Sequence, residues 1–286
     1  MGLFSTLKKG LRQFWQYRQM WLLLYLLTLV MAIFIAMPIK SYLESKAGHS
    51  LMVEDLIKGF DYTFLNDFMT NYGDGFSAIT QQFVLVVGLF LLLMVFFVGG
   101  ILSIYKEKPV KWNRAIFWGN SAAYFWKMLR LTVYFFFIHA FVLGVFFLIY
   151  YFMVNGFSLE DDTVIFTAWK WLLPFYVLVS TFFFMWHDYT KVILVRNNDK
   201  FIFKSIVSAF KFIIKHFKST YTLYLINLGL LLIVYGLNYI YMLNFEIDNT
   251  SQIYIGFIIS QVFILARLAV KLINWSIASL FYDKNY

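Results

Sequence analysis

The stretch Met20–Ile39, MWLLLYLLTLVMAIFIAMPI, decides the class of this protein. It carries no charge and is followed at once by Lys40. An α-helix rises about 1.5 Å per residue, so about 20 such residues cross a hydrocarbon layer of roughly 30 Å. The run is longer than a signal-peptide core of about 7–15 residues. It is therefore expected to be a permanent membrane span.

Five more apolar blocks follow, and the spans are placed near 20–40, 80–104, 131–154, 164–186, 219–243 and 253–280. The whole chain is 62% hydrophobic and 14% charged, where a soluble chain is roughly half apolar and a quarter charged. The predicted fold class is all-α: a polytopic membrane protein of six transmembrane helices forming one membrane domain over 1–286. Pro38 is expected to close the first span. Pro174 is expected to bend the fourth and free a carbonyl for a neighbour. With no cysteine in the chain, disulfides, thiolate metal sites, cysteine nucleophiles and cysteine lipidation are excluded.

Charge then orients the spans. One side holds Lys8, Lys9, Arg12, Arg18, Lys106, Lys108, Lys111, Arg114, Lys127, Arg130, Lys191, Arg196, Lys200, Lys204, Lys211, Lys215, Lys218 and Lys284. The other holds only Lys40, Lys46, Lys58 and Lys170, with most of the acidic loop residues. The positive-inside bias predicts a multi-pass protein of the cell membrane with both termini cytoplasmic. This basic face is expected to meet anionic lipid headgroups rather than nucleic acid, because its cations are interleaved with membrane-seeking aromatics.

Lys200–Lys218, KFIFKSIVSAFKFIIKHFK, sets Phe203, Ile206, Phe210, Ile213 and Phe217 on one helical face and lysines on another. Such a cationic amphipathic helix is expected to lie in the headgroup plane as an elbow before the next span. The N-terminus repeats it with Phe4, Leu7, Leu11 and Phe14. A slide of 199 residues pairs Phe4, Leu7, Leu11 and Tyr25 with Phe203, Ile206, Phe210 and Tyr224. A weaker version around Trp112, Ile116, Trp118, Phe125 and Trp126 precedes the third span. The expectation is a three-fold repeat of elbow, outward span and return span, near 1–110, 111–199 and 200–286. The outer loop 41–79 has room for a short amphipathic helix from Leu51 to Phe60 that Phe64, Leu65 and Phe68 continue. Asn71–Gly75, NYGDG, reads as a turn before the second span.

The elbow-plus-spans unit, as in FWKMLRLTVYFFF (125–137) and FKFIIKHFKSTYTLYLINLGLLL (210–232), resembles poorly characterised bacterial six-span membrane proteins. It is similar in layout to the membrane domain of glycerophosphoryl diester phosphodiesterases. In that family the catalytic part is a separate soluble barrel, so the resemblance implies a fold and transfers no catalytic residue. The abundance of Phe, Tyr, Ile, Lys and Asn also points to an AT-rich bacterial genome.

No metalloprotease, phosphate-loop or dinucleotide motif occurs. The four histidines, His49, His139, His187 and His216, are scattered, so neither metal nor cofactor is expected. Polar residues within spans are the candidate ligand or lipid contacts, since burying them in lipid is costly without partners. They are Arg267, Lys271, His139, Asn227 and Gln261. His139 reads first as a neutral imidazole hydrogen-bonded between helices, and Arg267 and Lys271 each first as a member of a structural ion pair or as a snorkelling side chain, ahead of a ligand contact. Lys8, Lys9, Arg12, Lys204, Lys211 and Lys215 are the candidate headgroup contacts. Trp186-His-Asp188 with Lys191 is the best acid–base cluster, but adjacent helical residues point apart, so it reads as an aromatic belt at a polar boundary. The function that follows is a non-enzymatic scaffold, assembly factor or accessory subunit, with a membrane protein partner or homo-oligomer. The alternative is a small transporter or lipid-binding protein, ahead of an interfacial enzyme built on His187, Asp188 and Lys191.

Overall fold

The structure, a computed structural model, describes residues 3–47, 62–155, 162–245 and 250–285. Eight helices account for almost all of them: α1 (Leu3–Gln16), α2 (Arg18–Ala47), α3 (Tyr62–Glu107), α4 (Arg114–Asn155), α5 (Asp162–Asn197), α6 (Ile202–Lys215), α7 (Phe217–Asn244) and α8 (Thr250–Asn285). Among the described residues, six helices are long and apolar enough to cross a membrane: Arg18–Lys46, Ile79–Glu107, Arg114–Val154, Phe166–Asn197, Phe217–Asn244 and Ser251–Asn285. The chain is a polytopic integral membrane protein. Hydrocarbon offers backbone groups no partner, so each crossing closes its own hydrogen bonds as a helix.

Several helices run past their expected ends. α2 continues through Pro38 to Ala47. Proline removes the N–H that would meet the carbonyl four residues back, here that of Phe34, and Gln82 Nε2 donates to this oxygen at 3.4 Å. A side chain from another helix thus substitutes for the missing bond. Asn71–Gly75 is not a turn: α3 passes through it without a break. A helix already nucleated by the span gains one bond for each residue added, which outweighs about 1 kcal/mol for each glycine. Pro174 also lies inside one continuous helix, α5. The helix expected at Leu51–Phe60 falls outside the described residues.

The amphipathic elbows are not all alike. α1 and α6 are separate helices, but the middle one is absent as such: 114–130 forms the first turns of the 42-residue α4. Asn113 Oδ1 caps its start, accepting from the N–H groups of Ala115 at 2.9 Å and Ile116 at 3.2 Å. No residue after this cap interrupts the ladder before the span.

The chain divides into two compact units. The unit formed by Tyr17–Met94 and Gly229–Leu272 is tied by Trp21 Nε1 to the Leu265 carbonyl at 2.8 Å and by Tyr25 Oη to Gln261 Oε1 at 3.0 Å. The other comprises Met1–Gln16, Val95–Leu228 and Ile273–Tyr286. Its core contains Ile104, Tyr105, Phe117, Phe135, Met185 and Ile193, all buried, while Phe137, Phe141 and Phe152 of α4 are exposed. Such an outward apolar surface is expected of a chain whose solvent is lipid.

In this second unit the elbows follow one register. α1 and α6 each have 14 residues, and both bounds differ by the 199 residues of the sequence slide. The buried positions Thr6, Gly10 and Gln13 of α1 correspond to Ser205, Ala209 and Phe212 of α6. A slide of 111 residues takes the same three to Phe117, Ser121 and Tyr124 of α4, also buried.

The small residue of each triplet lets backbones approach. A Cβ on Gly10 would stand 2.5 Å from Ile277 Cγ1 of α8. Facing Ser121, Gly100 of α3 has no room for one either: it would lie 2.5 Å from the Phe117 carbonyl oxygen and against the Ser121 hydroxyl. The Gly99–Gly100 pair thus serves close packing of α3 on α4. Gly100→Ala should therefore destabilise the protein by about 1–3 kcal/mol through overpacking, read as a lowered unfolding temperature in mild detergent. Gly88→Ala, where a Cβ meets nothing within 4 Å, should leave that temperature unchanged or raise it.

Candidate functional site

Of the residues with acid–base chemistry, Asp188 has the most built environment. Three consecutive side chains of α5 diverge around it. Trp186 Nε1 donates to the Ile206 carbonyl of α6 at 3.0 Å. The His187 ring stacks on Phe135 of α4, with centroids 4.4 Å apart. Asp188 turns toward α7 and α8. There Oδ1 accepts from Lys191 Nζ and from Trp275 Nε1, each at 3.0 Å. Oδ2 accepts from Tyr224 Oη at 3.2 Å and Asn274 Nδ2 at 3.1 Å.

The side chains of Asp188 and Lys191 are only 14% and 11% exposed. Asp188 is thus a largely covered junction rather than part of a polar boundary facing water, because α7 and α8 lie over it. Its four donors satisfy both oxygens, the condition under which a charge is tolerated in a low dielectric.

A second polar centre joins helix ends. The last four carbonyls of a helix have no partner within it and carry its partial negative charge. Arg196, near the end of α5, donates to the carbonyls of Tyr105 and Lys106 at the end of α3, both at 3.1 Å. It also donates to Ser279 Oγ and pairs with Asp283 of α8 at 2.9 Å. In exchange Lys106 Nζ donates to the Val195 carbonyl of α5 at 2.9 Å. Beyond these ends Lys108 and Asn198, each at φ 49°, provide the left-handed residue that closes a helix C-terminus.

The elbows complete this centre. Gln13 and Gln16 of α1 donate to the carbonyls of Tyr105 at 3.2 Å and Pro109 at 3.3 Å. At the positions 111 residues on, Tyr124 and Lys127 donate to the carbonyls of Val195 at 3.5 Å and Asp199 at 3.0 Å. Those acceptors lie 90 residues beyond Tyr105 and Pro109. At the third equivalent position Phe212 packs on Phe281, with centroids 6.0 Å apart.

The candidate ligand contacts have separate surroundings. Gln261 is the partner of Tyr25, while Arg267 and Lys271 are exposed on α8. His139 lies against Phe184 at 4.2 Å with its Nε2 buried and unpartnered. Asn227 donates to its own helix at the Leu223 carbonyl, 2.8 Å, and its Oδ1 is buried without a partner. The candidate headgroup cations Lys8, Lys9, Arg12, Lys204, Lys211 and Lys215 are all exposed.

The sequence reading missed Tyr224, Asn274, Trp275, Arg196 and Asp283 as partners. The only signal was the i, i+3 spacing of Asp188 and Lys191, which permits an ion pair on one helix. No family model, curated protein or solved structure matches the chain.

Removing one member of a buried pair leaves an uncompensated charge, at a cost of about 3–5 kcal/mol. Asp188→Asn should therefore lower the unfolding temperature sharply. The Asp188→Asn/Lys191→Met double variant should recover more than half of the loss in a double-mutant cycle. An Asp188→Asn protein as stable as the parent would refute the junction role.

Proposed function

We propose that this protein is a non-enzymatic integral membrane component: a scaffold, assembly factor or accessory subunit of a bacterial cytoplasmic membrane, with both termini cytoplasmic. The observation that carries this reading is the saturation of Asp188. Its four partners come from α5, α7 and α8, so the best-placed acid is engaged in joining helices. Arg196 is engaged similarly with helix ends. Groups committed in this way hold a shape, and a shape with broad exposed aromatic surface suits association within the bilayer.

The matching registers of α1, 114–130 and α6 support a three-fold repeat of elbow and two spans. A second reading, a small transporter or lipid-binding protein, rests on Asn227, whose buried Oδ1 would be satisfied by a polar ligand.

The two readings separate on extraction of the tagged chain from its own membranes in native lipid discs, followed by mass measurement. The scaffold reading predicts a stoichiometric partner protein or a multiple of the 34.0 kDa chain. A lone chain carrying a retained small molecule would overturn it in favour of the second.

A further inference from the structure

The elbows differ in one respect that their common register makes plain. Around α1, the buried Thr6, Gly10 and Gln13 form the face toward the protein, and the exposed Phe4, Leu11 and Trp15 form an apolar row. Around α6 the same places are taken by Ser205, Ala209 and Phe212, and by Phe203, Phe210 and Ile214. Phe4 and Phe203 are 79% and 74% exposed, far more than a water-facing phenylalanine tolerates and natural for a ring dipping into acyl chains.

Between these two faces runs a third. In α1 it holds exposed Lys8 and Arg12, and in α6 exposed Lys204, Lys211 and Lys215. Arg12 and Lys211 stand at the same position under the 199-residue slide. The middle unit keeps the apolar row through exposed Trp126. On its third face, however, it presents Gly119, Asn120 and Ala123. Its Lys127 is turned inward onto the Asp199 carbonyl at 3.0 Å.

We propose that the cation faces of α1 and α6, centred on Arg12 and Lys211, each hold the phosphate of an anionic phospholipid. The middle unit, with Ala123 at the equivalent place, holds none. The argument is charge complementarity at a defined depth. The exposed ring row sets each elbow at the level where acyl chains meet headgroups, and the cations beside it meet phosphate oxygens there. A zwitterionic lipid brings its own cation and gains less. The assignment is independent of the scaffold reading, since it concerns the outward faces of the elbows and not their buried contacts.

The test is native mass spectrometry of the full chain in micelles containing equal amounts of phosphatidylglycerol and phosphatidylcholine. Two retained phosphatidylglycerol molecules are expected, lost progressively as salt is raised. Arg12→Ala or Lys211→Ala should each leave one, and the double variant none. Ala123→Lys, an exposed substitution, should add a third. Unfolding temperatures confirm that each variant remains folded. Unchanged lipid retention in the folded double variant would overturn the proposal, as would failure of folded Ala123→Lys to gain a lipid. Capture of an acidic protein in place of lipid would also overturn it.

Discussion

A helix that ends leaves carbonyl oxygens without partners, and α3, α5 and α8 end beside one another in the same compact unit. Three converging C-termini gather partial negative charge of one sign. The structure answers with cations placed on the helices themselves: Lys106 on α3 reaches α5, while Arg196 on α5 reaches α3 and α8. The exchange is reciprocal. The residue that supplies a cation to one end sits beside the carbonyl that receives one from the other. Guanidinium suits the more crowded place, because its planar fork serves several acceptors at once.

Elbows follow from the same constraint. The Tyr105 and Val195 carbonyls accept a second bond, from Gln13 and Tyr124, while Gln16 and Lys127 meet the Pro109 and Asp199 carbonyls just beyond the helix ends. In this unit α1 and the first turns of α4 therefore act as capping elements. Their small residues, Gly10 and Ser121, let the backbone pack closely on Ile277 of α8 and Gly100 of α3. Asp188 solves the related problem deeper in the unit, where a carboxylate needs every lone pair engaged. It takes donors from two further helices and thereby fixes their rotation.

Much of this was legible along the chain. The six spans were readable because hydropathy is a local sum, and a run such as Met20–Ile39 announces itself without reference to anything distant. Elbow periodicity was readable for the same reason. What misled were residues whose usual local meaning was overridden. Pro38 does not end α2, because Gln82 supplies the donor that proline lacks. Asn71–Gly75 is not a turn, because the helix entering it was already nucleated. The middle elbow fuses with its span, although its buried positions match those of the separate elbows.

The sequence by itself determined an all-helical membrane chain, the extent of its apolar blocks and the register of its amphipathic stretches. All of these depend on neighbours a few residues apart. Only the tertiary structure decided the environment of Asp188, the exchange between Lys106 and Arg196, the necessity of Gly100, and which side chains of α1 and α6 face inward. Tyr224 and Trp275 lie 36 and 87 residues from Asp188, and no periodicity links them. A helical face shows where a side chain can point, but its partner is selected by which other helix is packed there. In hydrocarbon that selection is driven by the cost of leaving buried polar groups unpaired.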